Sequence, residues 1–176
     1  SELFIQISRL DMYTAKMQDT LSSAKYVYGN NAIYFNENLN LTKTSIPVIH
    51  ECIHYLQEIK DQKGKLIKLG LYDLNKETGL AINEAAVQLM ATRTEPMKYD
   101  SVTYYGMSFI AESPEFYPLE CALLNQMMFF TGEESLYFST LYGKPIFEKT
   151  FTSMSDSDTF FDIQLLFDKL LNTETD

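Results

Sequence analysis

Several shortages in this chain each close off a class of protein. Only two cysteines, Cys52 and Cys121, occur in 176 residues. A disulfide framework of the kind that staples small secreted domains is therefore not indicated, and reduced thiols are the simpler reading. No apolar run approaches the roughly 20 residues that span a bilayer, and no stretch has the charged, apolar and small-residue order of a signal peptide. A membrane segment is not expected in this chain, and a cytoplasmic location is the default expectation. The sequence opens at Ser1, so an upstream targeting segment could have been removed. Positive charge is scarce, with 14 Lys and Arg against 24 Asp and Glu and a formal net charge of -10. Such a field repels a phosphate backbone, and the one basic cluster, Lys60, Lys63, Lys65 and Lys68, is short and interrupted by apolar positions. Nucleic acid is not an expected partner, and the cluster reads as a solvated edge. Repeats, low-complexity runs and linkers are lacking too, so one cooperative core over residues 1–176 is the expectation.

What is present is an ordinary globular composition, 45% hydrophobic and 22% charged, patterned as an α+β domain, mostly helical, with one small antiparallel sheet. Leu3, Ile7, Leu10, Met17 and Leu21 recur at helical spacing between polar residues and predict a first amphipathic helix. Strand formers at 25–28 and 32–35 flank Gly29-Asn30-Asn31, a three-residue hairpin signal. A helix is predicted from about Ser45 to Asp61, with Thr44 or Ser45 as its cap and Pro47 tolerated in its first turn. Gly64 breaks it, and residues 66–71 read as either strand or extended loop. A further helix is predicted from about Thr78 to Thr94, ahead of Pro96, and the tract from Met97 to Pro118 is expected to be irregular. Three helices follow, at about Tyr117 to Thr131, Glu133 to Tyr142 and Thr159 to Leu171. Phe129, Phe130, Phe138, Phe160 and Phe161 are expected in the core, with Met127 and Met128 as filler.

Within the helix predicted from Ser45, His50-Glu51-Cys52-Ile53-His54 is an HExxH motif. A helix turns about 100° per residue, so the two imidazoles, four residues apart, share one face and can reach one metal ion. Glu51 falls on the adjoining flank, where a carboxylate can touch water beside the metal without occupying the metal. Cys52 and Ile53 leave that face, and Cys52 reads as a small buried hydrophobe. A catalytic zinc site takes three protein ligands, and this chain has no third histidine. That excludes a three-histidine site of the metzincin type and leaves a carboxylate or, less plausibly, Cys121. Glu84 stands out because it sits on a second predicted helix roughly thirty residues beyond His54, with Glu77 and Glu95 as poorer alternatives. The competing readings are a pair of ordinary helix histidines and a solvated glutamate. Asp156, Asp158 and Asp162 are too irregularly placed for a calcium loop.

The pair His50-Glu51-x-x-His54 and Asn83-Glu84-Ala85 resembles the gluzincin peptidases, in which a second helix supplies a glutamate within an Asn-Glu-Ala sequence. The resemblance implies a zincin-like domain with an HExxH active-site helix, Zn2+ held by His50, His54 and Glu84, and Glu51 as general base. It implies hydrolysis of a peptide or protein substrate by activated water; a zinc-holding regulatory or interaction module without turnover is the alternative. A third reading is a helical interaction domain without metal. In the family an aspartate four residues past the ligand glutamate orients a ligand histidine, whereas this chain has Gln88, with Asp73 or Asp100 as spatial substitutes. A developing oxyanion needs a donor, for which Tyr104, Tyr105 and Tyr117 are candidates. Oligomeric state is not legible at this level.

Overall fold

The computed structural model describes residues 2–17, 23–40, 42–43, 45–104, 106–156 and 158–174. The fold is α+β, and the chain divides into two compact units, Ser1–Leu56 and Gln57–Asp176. No helix among the described residues is long and apolar enough to cross a membrane.

The first unit contains α1 (Glu2–Ile7), β1 (Asp11–Ala15), β2 (Ala24–Val27), β3 (Ala32–Asn36) and α2 (Ile46–Leu56). The hairpin expected around Gly29 is present: β2 runs antiparallel to β3, and Asn31 takes a left-handed φ of 51° in the turn. The long first helix is not. It stops at Ile7, and residues 11–15 pair in parallel with β3, giving a mixed sheet in the order β1-β3-β2. Helical spacing of Leu10 and Met17 could not reveal that pairing, because the partner strand lies some twenty residues on and bonds through backbone. Tyr13 also stacks on Tyr34 of β3, with ring centroids 5.5 Å apart. Leu21 and the alternative cap Thr44 lie outside the described residues. Tyr26, Ile33 and Phe35 of the sheet join Leu10 in a small core, against which Val48, Cys52 and Tyr55 of α2 pack. α2 ends five residues earlier than expected because residues 58–60 are drawn into a sheet of their own.

The second unit opens with β4 (Glu58–Lys60), β5 (Leu66–Leu69) and β6 (Tyr72–Asp73), an antiparallel sheet that resolves the ambiguous tract at 66–71. At its centre is α3 (Leu80–Thr92), in which ten of thirteen residues are buried. That decides its role, since a helix hydrophobic all round belongs inside a core. Around it pack α4 (Pro118–Thr131), α5 (Glu133–Tyr142), α6 (Ile146–Thr152) and α7 (Thr159–Glu174), with Leu124, Leu136, Phe147 and Phe167 closing on Ala81, Ala85 and Ala86. The sequence pattern does not predict α6. Phe147 and Phe151, one turn apart, hold it to the core although Gly143 and Pro145 punctuate the stretch before it.

The structure departs from two further expectations. The tract 97–118 holds a hairpin of β7 (Asp100–Tyr104) and β8 (Met107–Ala111), turning at Gly106 with φ 79°. Ser113, Pro114 and Pro118 all fall after the second strand, and among the described residues of the tract the irregular stretches are 97–99 and 112–117. Phe160 is in the core as expected and Met127 and Met128 fill it, but Phe129, Phe130, Phe138 and Phe161 are exposed.

Both ends of α3 are fixed from distant parts of the chain. At the N-terminus the N–H groups of Gly79 and Ala81 donate to the two carboxylate oxygens of Asp168 on α7, at 2.7 and 2.9 Å. These are donors a helix start leaves without an intrahelical partner, and a negative charge there complements the helix dipole. Gly79 has φ 85°, and a Cβ on it would stand 2.7 Å from the Leu71 carbonyl oxygen, so only glycine fits. At the C-terminus the Arg93 guanidinium forks onto Glu112 through contacts of 2.6 and 2.9 Å and also reaches Asn125 and Tyr137. The hydrogen bond to Glu112 raises the guanidinium pKa further, despite the opposing effect of burial. Replacing Asp168 by Ala should lower the free energy of unfolding by about 1–2 kcal/mol in chemical denaturation. Asp168→Asn, which keeps one acceptor and loses the charge, should fall between the parent and the alanine variant.

Candidate metal centre

On α2 the four-residue spacing brings the Nε2 atoms of His50 and His54 to 3.0 Å from one another, with ring centroids 4.7 Å apart and planes at 71°. Both side chains are buried. Two imidazoles aimed nitrogen to nitrogen share either a proton or a cation. Glu51, one residue further round the helix, is also buried, and its Oε2 accepts a 2.6 Å hydrogen bond from the backbone N–H of Tyr26 on the edge strand β2. That charge-assisted bond orients the carboxylate. Cys52 points into the small core of the first unit, as expected of a hydrophobe. Its thiol pKa is raised, first by burial and then by the charge of Glu51, so it is poorly suited to serve as a thiolate ligand.

On α3 the orientation of Glu84 follows from its neighbour. The buried Asn83 Oδ1 accepts from the Leu71 N–H at 3.0 Å and from Gln57 Nε2 at 3.1 Å, which locks the rotation of the helix against the corner after β5. That corner requires Gly70, with φ 54°, because a Cβ there would sit 2.6 Å from Asn83 Oδ1 and 2.7 Å from the Thr140 carbonyl oxygen. With Asn83 fixed, Glu84 is turned about 100° away and is half-buried. Tyr117 donates its hydroxyl to Glu84 Oε2 at 3.3 Å. The same tyrosine holds φ 50° and ψ 45° at the start of α4, a left-handed conformation that costs a bulky residue about 1–3 kcal/mol and persists where surrounding contacts impose it.

One ligand atom from each of His50, His54 and Glu84 lies within 4.8 Å of the other two, and the group could hold a metal ion. The donor set is two imidazole nitrogens and one carboxylate oxygen, which is a known catalytic zinc set. Ligand atoms around a tetrahedral zinc with bonds of about 2.0–2.1 Å stand about 3.3 Å apart. The histidine pair, at 3.0 Å, is near that spacing.

The remaining candidates have other engagements. Cys121 is fully buried, its Sγ lies 3.7 Å from the Ala85 carbonyl oxygen, and desolvation pushes its thiol pKa well up, so it does not join the group. Glu77 and Glu95 do not join it either. Gln88 directs its amide nitrogen to Thr92 Oγ1 at 3.2 Å and Ser113 Oγ at 3.1 Å. Asp73 and Asp100 each accept from backbone N–H groups of their own turns or strand. Tyr104 lies on β7, and Tyr105 is outside the described residues. Asp168, Gly70 and the Tyr117 link to Glu84 had no sequence signal of their own, since each contact spans a long stretch of chain.

Compared with protein-family models, with curated protein sequences and with solved structures, the chain matches none. The gluzincin resemblance therefore rests on the two short motifs alone. A divalent transition metal added at a hundred times its Kd should raise the free energy of unfolding by about 2.7 kcal/mol, read as a higher Tm. His54→Ala should abolish that rise; an undiminished rise would mean that the metal binds elsewhere.

Proposed function

We propose that this chain is a zinc-dependent peptidase in which His50, His54 and Glu84 hold the ion and Glu51 is the general base. The observation that carries the reading is the approach of the two histidine Nε2 atoms to 3.0 Å on α2, in a group with Glu84 that could hold a metal ion, while Glu51 stands on the flank of the same helix as the histidines. When bound, the ion would supply a Lewis acid that polarises the scissile carbonyl and acidifies a water. Glu51 then takes the water's proton and delivers it to the leaving amine as the tetrahedral intermediate collapses, the two halves of general acid-base catalysis by one carboxylate. Its bond from Tyr26 fixes one oxygen and leaves the proton transfers to the other. Burial of His50, His54 and Glu51 excludes bulk water, which strengthens each of these interactions. Tyr117 acts on Glu84 as a positioning residue, holding one carboxylate oxygen through its hydroxyl. The substrate class is a peptide or protein.

A second reading, a zinc-holding binding module without turnover, draws on the same bond from Tyr26, since one of the two Glu51 oxygens is already committed to a backbone donor. The two readings part in one assay. Glu51→Gln should reduce hydrolysis of a peptide library by at least about a thousandfold, while zinc content stays at the parent level. Normal cleavage by that variant would contradict the base role, and a parent protein that holds zinc but cleaves nothing would favour the binding module.

A further inference from the structure

The outward face of α7 carries a short, ordered pattern that neither the core nor the candidate metal centre uses. Asp162, Leu165, Leu166 and Lys169 are spaced i, i+3, i+4, i+7, so they form one stripe, and all four are exposed. Leu166 is 62% exposed and Leu165 37%. Among the described residues neither Asp162 nor Lys169 has a salt-bridge partner within the chain. The apolar surface does not stop at this helix. Leu166 also lines a groove of about 480 Å³ whose other wall is α4, where Phe130 is 64% exposed and Phe129 beside it 84%. Exposed apolar side chains gathered on neighbouring helices beside charged residues are a feature of interaction sites.

We propose that this face joins two copies of the chain, with α7 packed antiparallel on α7 about a two-fold axis near Leu165 and Leu166. The charge order selects that partner and that orientation. In an antiparallel pair centred between the two leucines, Asp162 stands opposite Lys169 of the second copy, Lys169 opposite its Asp162, and Leu165 opposite its Leu166. A parallel pair would set Asp162 against Asp162 and Lys169 against Lys169. A two-fold contact needs a self-complementary patch, and a stripe with opposite charges at its two ends is one. The net charge of -10 on each copy is screened over about 8–10 Å at ordinary ionic strength, so the close pairs set the register.

Sedimentation velocity on the full 176-residue chain, from about 1 to 100 µM, tests this. The parent should pass from monomer to dimer. Asp162→Lys and Lys169→Asp should each weaken self-association roughly tenfold or more, because like charges then face each other at both ends of the stripe. Mixing the two variants should restore dimerisation, since one then presents lysine at both ends of its stripe and the other presents aspartate at both. That rescue cannot arise from a damaged fold. A parent that stays monomeric throughout, a dimer indifferent to both substitutions, or a mixture no tighter than either variant alone would each overturn the proposal.

Discussion

The burial of α3 is the constraint on which the second unit depends. A helix with apolar residues on every side has no polar face to tell it which way to turn, so its rotation has to be fixed by a few polar contacts. Here these are Asn83 at the first turn, Asp168 at the N-terminal donors and Arg93 at the C-terminal end. Each buried polar group is costly to leave without a partner, so the helix is held in one orientation even though its hydrophobic contacts alone would tolerate several. Glu84 takes its direction from that arrangement. Gly70 and Gly79 are the corresponding constraints on the neighbouring chain, because the space a Cβ would need is occupied by Asn83 and by the Leu71 carbonyl.

In the first unit the corresponding element is α2, whose mode of fixation is different. It is clearly two-sided, with Val48, Cys52 and Tyr55 against the small sheet and the two histidines on another face. The edge strand β2 contributes more than packing, because its Tyr26 N–H is the donor that orients Glu51. A strand edge and a helix flank therefore meet at the residue to which the proposed chemistry assigns proton transfer. The proposed base is oriented by a backbone N–H, which no substitution of Tyr26 other than proline would remove.

How much of this could be read in the sequence follows from how local each signal is. The HECIH spacing and the helix bearing Asn83 and Glu84 depend on periodicity within a few turns, and both helices lie inside the spans the pattern predicts, α2 being shorter at its C-terminal end. The hairpin around Asn31 is equally local. What the pattern misses depends on partners far along the chain. Strand β1 exists because β3 is there to pair with it, and α6 because Phe147 and Phe151 find the core. The Asp168 cap on α3 arrives from 87 and 89 residues away. The phenylalanines failed for another reason. On α4 the buried positions Leu124, Met127, Met128 and Thr131 define the inward face and leave the adjacent Phe129 and Phe130 outside it, which composition does not reveal.

The proposed chemistry depends on two imidazoles and one carboxylate holding a zinc ion. X-ray absorption at the zinc edge, on protein purified without a histidine tag and loaded with one equivalent, addresses it most directly. Nitrogen and oxygen ligands at about 2.0–2.1 Å with scattering from two imidazoles are expected, with loss of one oxygen ligand or of the metal in Glu84→Ala. Failure to retain zinc, or a sulfur ligand at about 2.3 Å from a cysteine, would contradict it.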